Sequence, residues 1–194
     1  DFLFVPEASD IYSDRIQSGN YDFGRLEKVM EAEFRPGHFK GVATIVHRFF
    51  ELIKPNKAYF GEKDFQQLQI IKQLVRNENL AIEIIECSTE REANGLAMSS
   101  RNERLSSKHR DKASVLYESL MFAKENYNSI SLKSMLQTLK ARINTVDGVK
   151  LEYLQFVDSE SLEQLDNWED ANHVRACVAA FFGEVRLIDN LLLF

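Results

Sequence analysis

The fold follows most directly from one stretch of the chain, Lys57-Ala58-Tyr59-Phe60-Gly61-Glu62-Lys63-Asp64. Its first four residues have the character of a short strand, and residues 65–77 after it have helical periodicity. Upstream, residues 38–54 carry an apolar stripe at helical spacing, and Pro55 ends that pattern. Helix, strand, loop and helix in this order predict a parallel α/β sheet, in which ligands bind beyond the carboxyl ends of the strands. The loop at 61–64 lies at such an end.

The same patterns predict the other elements of the first half. A second strand is predicted at Ala81 to Cys87, and Asp1 to Pro6 has the character of a buried strand that a proline ends. Within the helix over residues 38–54, six apolar residues are predicted to face the core: Val42, Ile45, Val46, Phe49, Phe50 and Ile53.

The pattern changes after Thr89, and the change predicts two domains. Residues 1–89 form the remainder of a Rossmann-like binding domain, and residues 90–194 form a small α+β lid domain with an antiparallel sheet. The polar stretch at 90–102 is predicted to lie at the interface, where ligand clefts are common. The later elements are a helix capped by Ser106 or Ser107, a helix near 131–144, and strands at 149–157, 174–182 and 185–192, the last two joined by Gly183-Glu184 in a type II′ hairpin.

Composition excludes several classes of function. The 194 residues carry 24 Lys and Arg against 30 Asp and Glu, mixed along the chain, so no basic surface for nucleic acid is expected. Cys87 and Cys177 stand far apart without metal-ligand spacing, which predicts reduced core residues in a cytoplasmic protein and no structural metal. The apolar runs are far shorter than the ~20 residues of a membrane span, so the chain is not expected in a membrane.

Two loops have residues suited to binding phosphate. In Gly61-Glu62-Lys63-Asp64, the start of a helix favours anions and Lys63 adds a mobile positive charge. In Met98-Ser99-Ser100-Arg101, two hydroxyls and a guanidinium can hold a polyphosphate and stabilise charge on a leaving pyrophosphate. Taken alone, the first loop is better explained as a solvated turn with a surface lysine, and the second as a helix cap with a surface arginine. Together, they predict a nucleotide cleft.

Histidines provide little further chemistry. His38 follows a turn at Gly37 and begins the long helix, where it either faces the cleft or has no catalytic task. His47 lies off the apolar stripe of the long helix and is expected to be structural or on the surface, and His109 and His173 have no companion acids or cysteines at useful spacing. The chain contains no Gly-x-Ser-x-Gly elbow and no Walker-type loop, so neither acyl hydrolysis nor P-loop phosphoryl transfer is supported.

Three motifs, in order and at characteristic spacing, closely resemble the pantothenate synthetase (pantoate–β-alanine ligase) family. They are Arg35-Pro36-x-His38-Phe39-x-Gly41-Val42, then Tyr59 to Leu68, then Arg91 to Asn102. A cytidylyltransferase or another adenylate-forming transferase would require the matches at Gln66-Gln67 and residues 98–101 to be coincidental. Asn94 stands where the family usually has aspartate, and Gly37 where it often has threonine; both changes are conservative.

The resemblance implies a nucleotidyltransferase-type Rossmann fold and a two-step reaction. Pantoate attacks the α-phosphorus of ATP, supplied with Mg2+, to give pantoyl adenylate, and the amine of β-alanine then displaces AMP. Lys63, Ser99 and Arg101 would be catalytic, Gln67 would bind pantoate, and His38 is a possible further site residue. The ATP site would comprise Gly61, Glu62, Lys63, Asp64, Glu90, Met98, Ser99, Ser100 and Arg101, although the family often has valine in place of Glu90. The family is generally a homodimer.

One family segment has no counterpart in this sequence. The Pro-Thr-Met-Gly-x-Leu-His-x-Gly-His motif, which places histidines over the ATP phosphates, is expected upstream of Asp1. Because adenylation needs the phosphate and carboxylate positioned together, the 194-residue chain alone is expected to be inactive. The alternative is a non-catalytic nucleotide-binding or assembly fragment.

Overall fold

A computed structural model of the chain describes residues 2–11 and 19–194. The chain divides into two compact units that alternate along the sequence. The first unit comprises Asp1–Ala58 and Gln69–Ile85, and the second comprises Tyr59–Leu68 and Glu86–Phe194. The predicted domain boundary near residue 89 stays a prediction.

The first unit begins with short helices and contains one long helix. Its helices before the first strand are α1 (Ala8–Ile11), a 3-10 turn (Gly24–Glu27), α2 (Glu31–Phe34) and α3 (His38–Ile53). The long helix α3 starts after Gly37, whose φ of 76° is left-handed, and ends before Lys54 and Pro55 as predicted. Within this unit, the Tyr21 hydroxyl lies 2.9 Å from His47 Nδ1 on α3.

One prediction for this unit is wrong, and a second is only partly correct. Residues 2–7 form neither helix nor strand, and Phe2, Leu3 and Val5 are exposed, since apolar character alone does not provide a neighbouring strand to pair with; Asp1 lies outside the described residues. Of the predicted stripe on α3, Phe50 is buried, Val42, Val46 and Phe49 are half-buried, and Ile45 and Ile53 are exposed. The helical period is correct, but the buried face also includes Phe39 and Ala43, because apolar residues cover more than one face of this helix.

A strand, a helix and a second strand then form the predicted crossover. Strand β1 (Lys57–Gly61) leads through a 3-10 turn (Glu62–Asp64) into α4 (Phe65–Asn77), and β2 (Glu83–Cys87) follows. The two strands pair in a two-stranded parallel sheet. One face of α4 is fully buried through Leu68, Ile70, Ile71 and Leu74. The turn after β1 therefore lies where a parallel strand ends and a helix begins.

The second unit packs helices on an antiparallel sheet. After β2 come a 3-10 turn (Ser100–Arg104), α5 (Ser107–Lys112), α6 (Val115–Asn126), α7 (Leu132–Asn144), β3 (Val149–Asp158), a 3-10 turn (Trp168–Asp170), β4 (Val174–Phe182) and β5 (Val185–Leu192). The sheet has the order β3-β4-β5, and its core includes Leu120, Leu139, Phe156 and Val178. The helix predicted from Ser106 is divided at residues 113–114, where Ser114 Oγ donates to Asp111 O (3.4 Å) and competes with continuous helix geometry.

The hairpin between β4 and β5 has the predicted two-residue loop. Phe182 pairs with Val185, and Gly183 has a φ of 60°, the left-handed value that the first position of a type II′ turn requires. The predicted α/β fold, with parallel strands followed by a separate antiparallel sheet, is confirmed. Cys87 is half-buried and Cys177 buried, and both are free thiols. Within residues 2–11 and 19–194, no helix has the length and apolar character to cross a membrane.

Candidate functional site

The first loop of the site, residues 61–64, is called the lysine loop below. Its backbone leaves β1 at Gly61, turns through a 3-10 helix and enters α4 at Phe65. A Cβ added at Gly61 would meet no atom within 4 Å, so a ligand can approach the backbone there. Glu62 and Lys63 are half-buried, and Asp64 is exposed. The start of α4 adds amide dipoles that favour an anion beside Lys63.

The second loop, residues 90–102, is called the serine–arginine loop. Its first part is a small antiparallel turn in which Met98 N donates to Glu90 O (2.9 Å) and Glu92 N donates to Leu96 O (2.8 Å). Gly95 closes this turn with a φ of 88°, and an added Cβ there would lie 2.4 Å from the Tyr117 ring. The close contact and the left-handed backbone both require glycine.

The last part of the serine–arginine loop is fixed by side chains. Ser99 Oγ accepts a hydrogen bond from Arg101 N (3.2 Å) and caps the 3-10 turn over Ser100–Arg104. Asn102 is 2% exposed, and its Nδ2 donates to Glu92 Oε1 (2.8 Å) and to Ala97 O (3.1 Å). The backbone on both sides of Ser99 is therefore anchored.

The structure brings Lys63, Ser99 and Arg101 together around one small cleft within the second unit. The remaining lining residues are Leu96, Ala97, Asn102, Arg186, Leu187 and Ile188. Among residues that the structure describes, the Arg101 guanidinium has no hydrogen-bond or ion-pair partner. Lys63, Arg101 and the Ser99 hydroxyl around one cleft are suited to phosphate oxygens, while the third cationic side chain, Arg186, is paired with Glu152.

Buried groups from β5 lie under both loops. Arg91 donates to Asp189 through two hydrogen bonds of 2.7 and 3.0 Å, and its guanidinium lies 4.0 Å from the centroid of the Tyr117 ring. Burial raises the pKa of Asp189, while the hydrogen bonds and charge of Arg91, the Asn190 N–H and the charge of Lys63 oppose that rise. Lys63 thus lies in the field of a buried carboxylate already paired with arginine.

The other predicted site residues have different environments. Gln67 is half-buried on α4, whereas its neighbour Gln66 is buried. Glu90, Met98 and Ser100 are exposed on the serine–arginine loop and do not line the cleft described above. His38 is half-buried at the start of α3 in the first unit, with its ring centroid 5.1 Å from that of Phe39. The structure alone therefore groups three of the predicted residues and leaves the roles of the others as predictions.

Four residues that hold these loops have no role among the expectations from the sequence: Arg91, Arg175, Asp189 and Asn190. Three of them are polar residues within strands β4 and β5, whose neighbours are mostly apolar. They are 4–5% exposed, and a buried polar side chain in such a strand is costly unless it is bonded. The sequence does show polar residues that interrupt apolar strands, which indicates buried polar contacts. It does not show the partners of those residues, which lie up to 128 positions away.

The residues of the cleft do not fit a metal ion. Mg2+ prefers oxygen ligands with negative charge, whereas the cleft offers an ammonium, guanidinium groups and a hydroxyl. Across the described ranges, no three His, Cys, Asp or Glu side chains are grouped so that they could hold a metal.

Comparisons with known proteins agree on one family. The family model described as pantoate-beta-alanine ligase matches residues 1–192. A curated pantothenate synthetase from Azobacteroides pseudotrichonymphae is 45% identical over 191 residues, which are 98% of this chain and 68% of that protein.

Solved structures are similar over the same extent. A pantothenate synthetase from Thermus thermophilus superposes with a TM-score of 0.93 at 39% identity, covering 100% of this chain and 70% of that one. A pantoate-beta-alanine ligase from Francisella tularensis, complexed with beta-gamma ATP and beta-alanine, has a TM-score of 0.71 at 34% identity and covers 95% and 62%.

Proposed function

Because the chain belongs to the pantoate–β-alanine ligase family, we propose that its cleft binds the phosphates of ATP during the condensation of pantoate with β-alanine. The observation that supports this most is the convergence of Lys63, Ser99 and Arg101 on one cleft. The Francisella tularensis relative was crystallised with an ATP compound and β-alanine, which are ligands of the proposed reaction.

The proposed reaction has two steps. A pantoate carboxylate oxygen attacks the α-phosphorus of ATP, the bond to the bridging oxygen of the β-phosphate breaks, and pyrophosphate leaves. The amine of β-alanine then attacks the acyl carbon of pantoyl adenylate, loses a proton, and AMP leaves with the former carboxylate oxygen. Lys63, Arg101 and the Ser99 hydroxyl stabilise the negative charge that grows on the departing pyrophosphate.

The remaining assignments complete the proposal. Gln67 binds pantoate, while Gly61 to Asp64, Glu90 and residues 98–101 hold ATP. His38 has no step assigned to it. Since the cleft does not fit a metal, Mg2+ enters as part of the nucleotide substrate, bound to its phosphates. The proposed setting is the cytoplasm, with the full-length enzyme a homodimer.

Titration calorimetry with MgATP tests the proposal directly. The wild-type chain is expected to release or absorb heat, and Lys63→Ala is expected to weaken binding about tenfold to hundredfold, because one charge-assisted hydrogen bond contributes about 1.5–3 kcal/mol. Lys133→Ala removes an exposed lysine of α7 that does not line the cleft and is the matched control. Its affinity should equal that of the wild type.

The same samples distinguish a ligase from an assembly fragment. Given pantoate and MgATP, the 194-residue chain is expected to release no pyrophosphate, because its sequence contains no His-x-Gly-His motif. Rapid pyrophosphate release would refute that part of the proposal. Absence of heat from both the wild type and Lys63→Ala would instead favour a non-catalytic assembly fragment.

A further inference from the structure

Two adjacent residues of β5 contact both loops of the cleft. Asn190 Nδ2 donates to Glu62 O (2.9 Å) and to Lys63 O (3.0 Å), which are backbone oxygens of the lysine loop. Asp189 accepts the paired hydrogen bonds of Arg91 at the base of the serine–arginine loop. Asp189 Oδ1 also accepts from Asn190 N (2.8 Å), so the two anchors are bonded to each other.

The orientation of the Asn190 amide is determined on both sides. Its Oδ1 accepts from Arg175 Nη1 (2.6 Å), while its Nδ2 donates to the two carbonyls of the lysine loop. Arg175 is itself placed by the Phe65 ring, whose centroid lies 3.8 Å from the guanidinium carbon, and its Nη2 is 3.7 Å from Glu62 Oε1. A rotated amide would place its oxygen against two carbonyls.

Fold stability alone does not account for this polar pair. Asp189 and Asn190 are 4% and 5% exposed, and apolar residues in such positions are often as stabilising as a buried polar network. We propose that Asp189–Asn190 is a positioning pair, which sets the distance between Lys63 and the Ser99–Arg101 segment. Neither residue lines the cleft, so each acts through the loop that it holds.

The physical basis is preorganisation. A polyphosphate contacts both loops at once only if their spacing is set before binding, since ordering them during binding costs free energy. This inference rests on the proposed function, because the ligand that bridges the loops is taken to be ATP.

Two substitutions at Asn190 test the pair. Asn190→Ala removes all three side-chain bonds, and Asn190→Asp keeps the acceptor for Arg175 while removing the donor to the lysine loop. Asn126→Ala is the matched control, since Asn126 also donates to a backbone carbonyl, Phe122 O (2.9 Å), but does not contact either loop. Hydrogen exchange of amides 62–65 and MgATP titration are measured for each folded variant.

Both Asn190 variants are expected to exchange faster at residues 62–65 and to bind MgATP about tenfold more weakly, the loss expected for about 1.4 kcal/mol. Asn126→Ala should change neither. In a Lys63→Ala background, Asn190→Asp should cause little further loss of affinity, because a positioning residue acts through the lysine.

Other results would overturn the inference. Unchanged exchange at residues 62–65, faster exchange with unchanged affinity, or the same tenfold loss on a Lys63→Ala background would each rule out positioning through Lys63. If the wild type binds no MgATP, the proposed function fails. The exchange measurement then decides separately whether Asn190 holds the lysine loop, and unchanged exchange would refute that too.

Discussion

The lysine loop and the serine–arginine loop are held in different ways. The lysine loop is short: Gly61 ends β1, three further residues lead into α4, and one buried side chain, Asn190, donates to two of its carbonyls. The serine–arginine loop has thirteen residues, and besides its own backbone hydrogen bonds it is held by side-chain bonds of Arg91, Glu92 and Asn102. The short loop has its flanking elements and a single buried anchor to position it, whereas the long loop needs several anchors along its length.

The largest expected effect comes from breaking the buried ion pair. Arg91→Ala leaves Asp189 buried without its partner, and we expect the free energy of unfolding to fall by about 3–5 kcal/mol. Urea unfolding measures the loss. The control is Arg142→Ala, whose pair with Glu118 is solvent-exposed and should contribute less than about 1 kcal/mol. Equal losses would show that the buried pair is not the main anchor.

A smaller effect is expected at the turn of the serine–arginine loop. Gly95→Ala forces a left-handed residue to carry a Cβ that lies 2.4 Å from the Tyr117 ring, and should cost about 1–3 kcal/mol. Gly41→Ala is the matched control, because its added Cβ meets nothing within 4 Å in helix α3. There alanine should stabilise by up to about 1 kcal/mol. If the Tm of Gly95→Ala and the Tm of Gly41→Ala shift in the same direction, the prediction is contradicted.

The smallest effect depends on pH. The hydrogen bond from Asn102, followed by Arg110, lowers the pKa of Glu92 below its ordinary value of 4.5. Because the folded-state pKa is the lower one, the stabilisation is present above pH 4.5 and is lost as pH falls through the folded pKa. Between about pH 6 and pH 3, the free energy of unfolding of Glu92→Gln should fall less than that of the wild type. The difference between the two falls should be about 1 kcal/mol or less. Identical pH profiles in urea unfolding would refute the role of Glu92.

Several elements could be predicted from sequence because their signals are local. The strand before Gly61, the helix after it and the Gly183-Glu184 hairpin depend on residues close together in the chain. The strand expected at residues 1–6 failed because a strand needs a partner that local sequence does not specify. The predicted stripe of α3 is only partly correct, because periodicity does not say which of two apolar faces is covered.

The sequence by itself determined the α/β order of elements, the family and the two loops that carry Lys63, Ser99 and Arg101. Those features are encoded in short stretches whose propensities and motifs can be identified without a partner. Only the tertiary structure decided that Asp189 and Asn190 lie under both loops, about 100 or more positions from the residues they bind. Contacts at that separation depend on how strands and helices pack, and no local pattern specifies them.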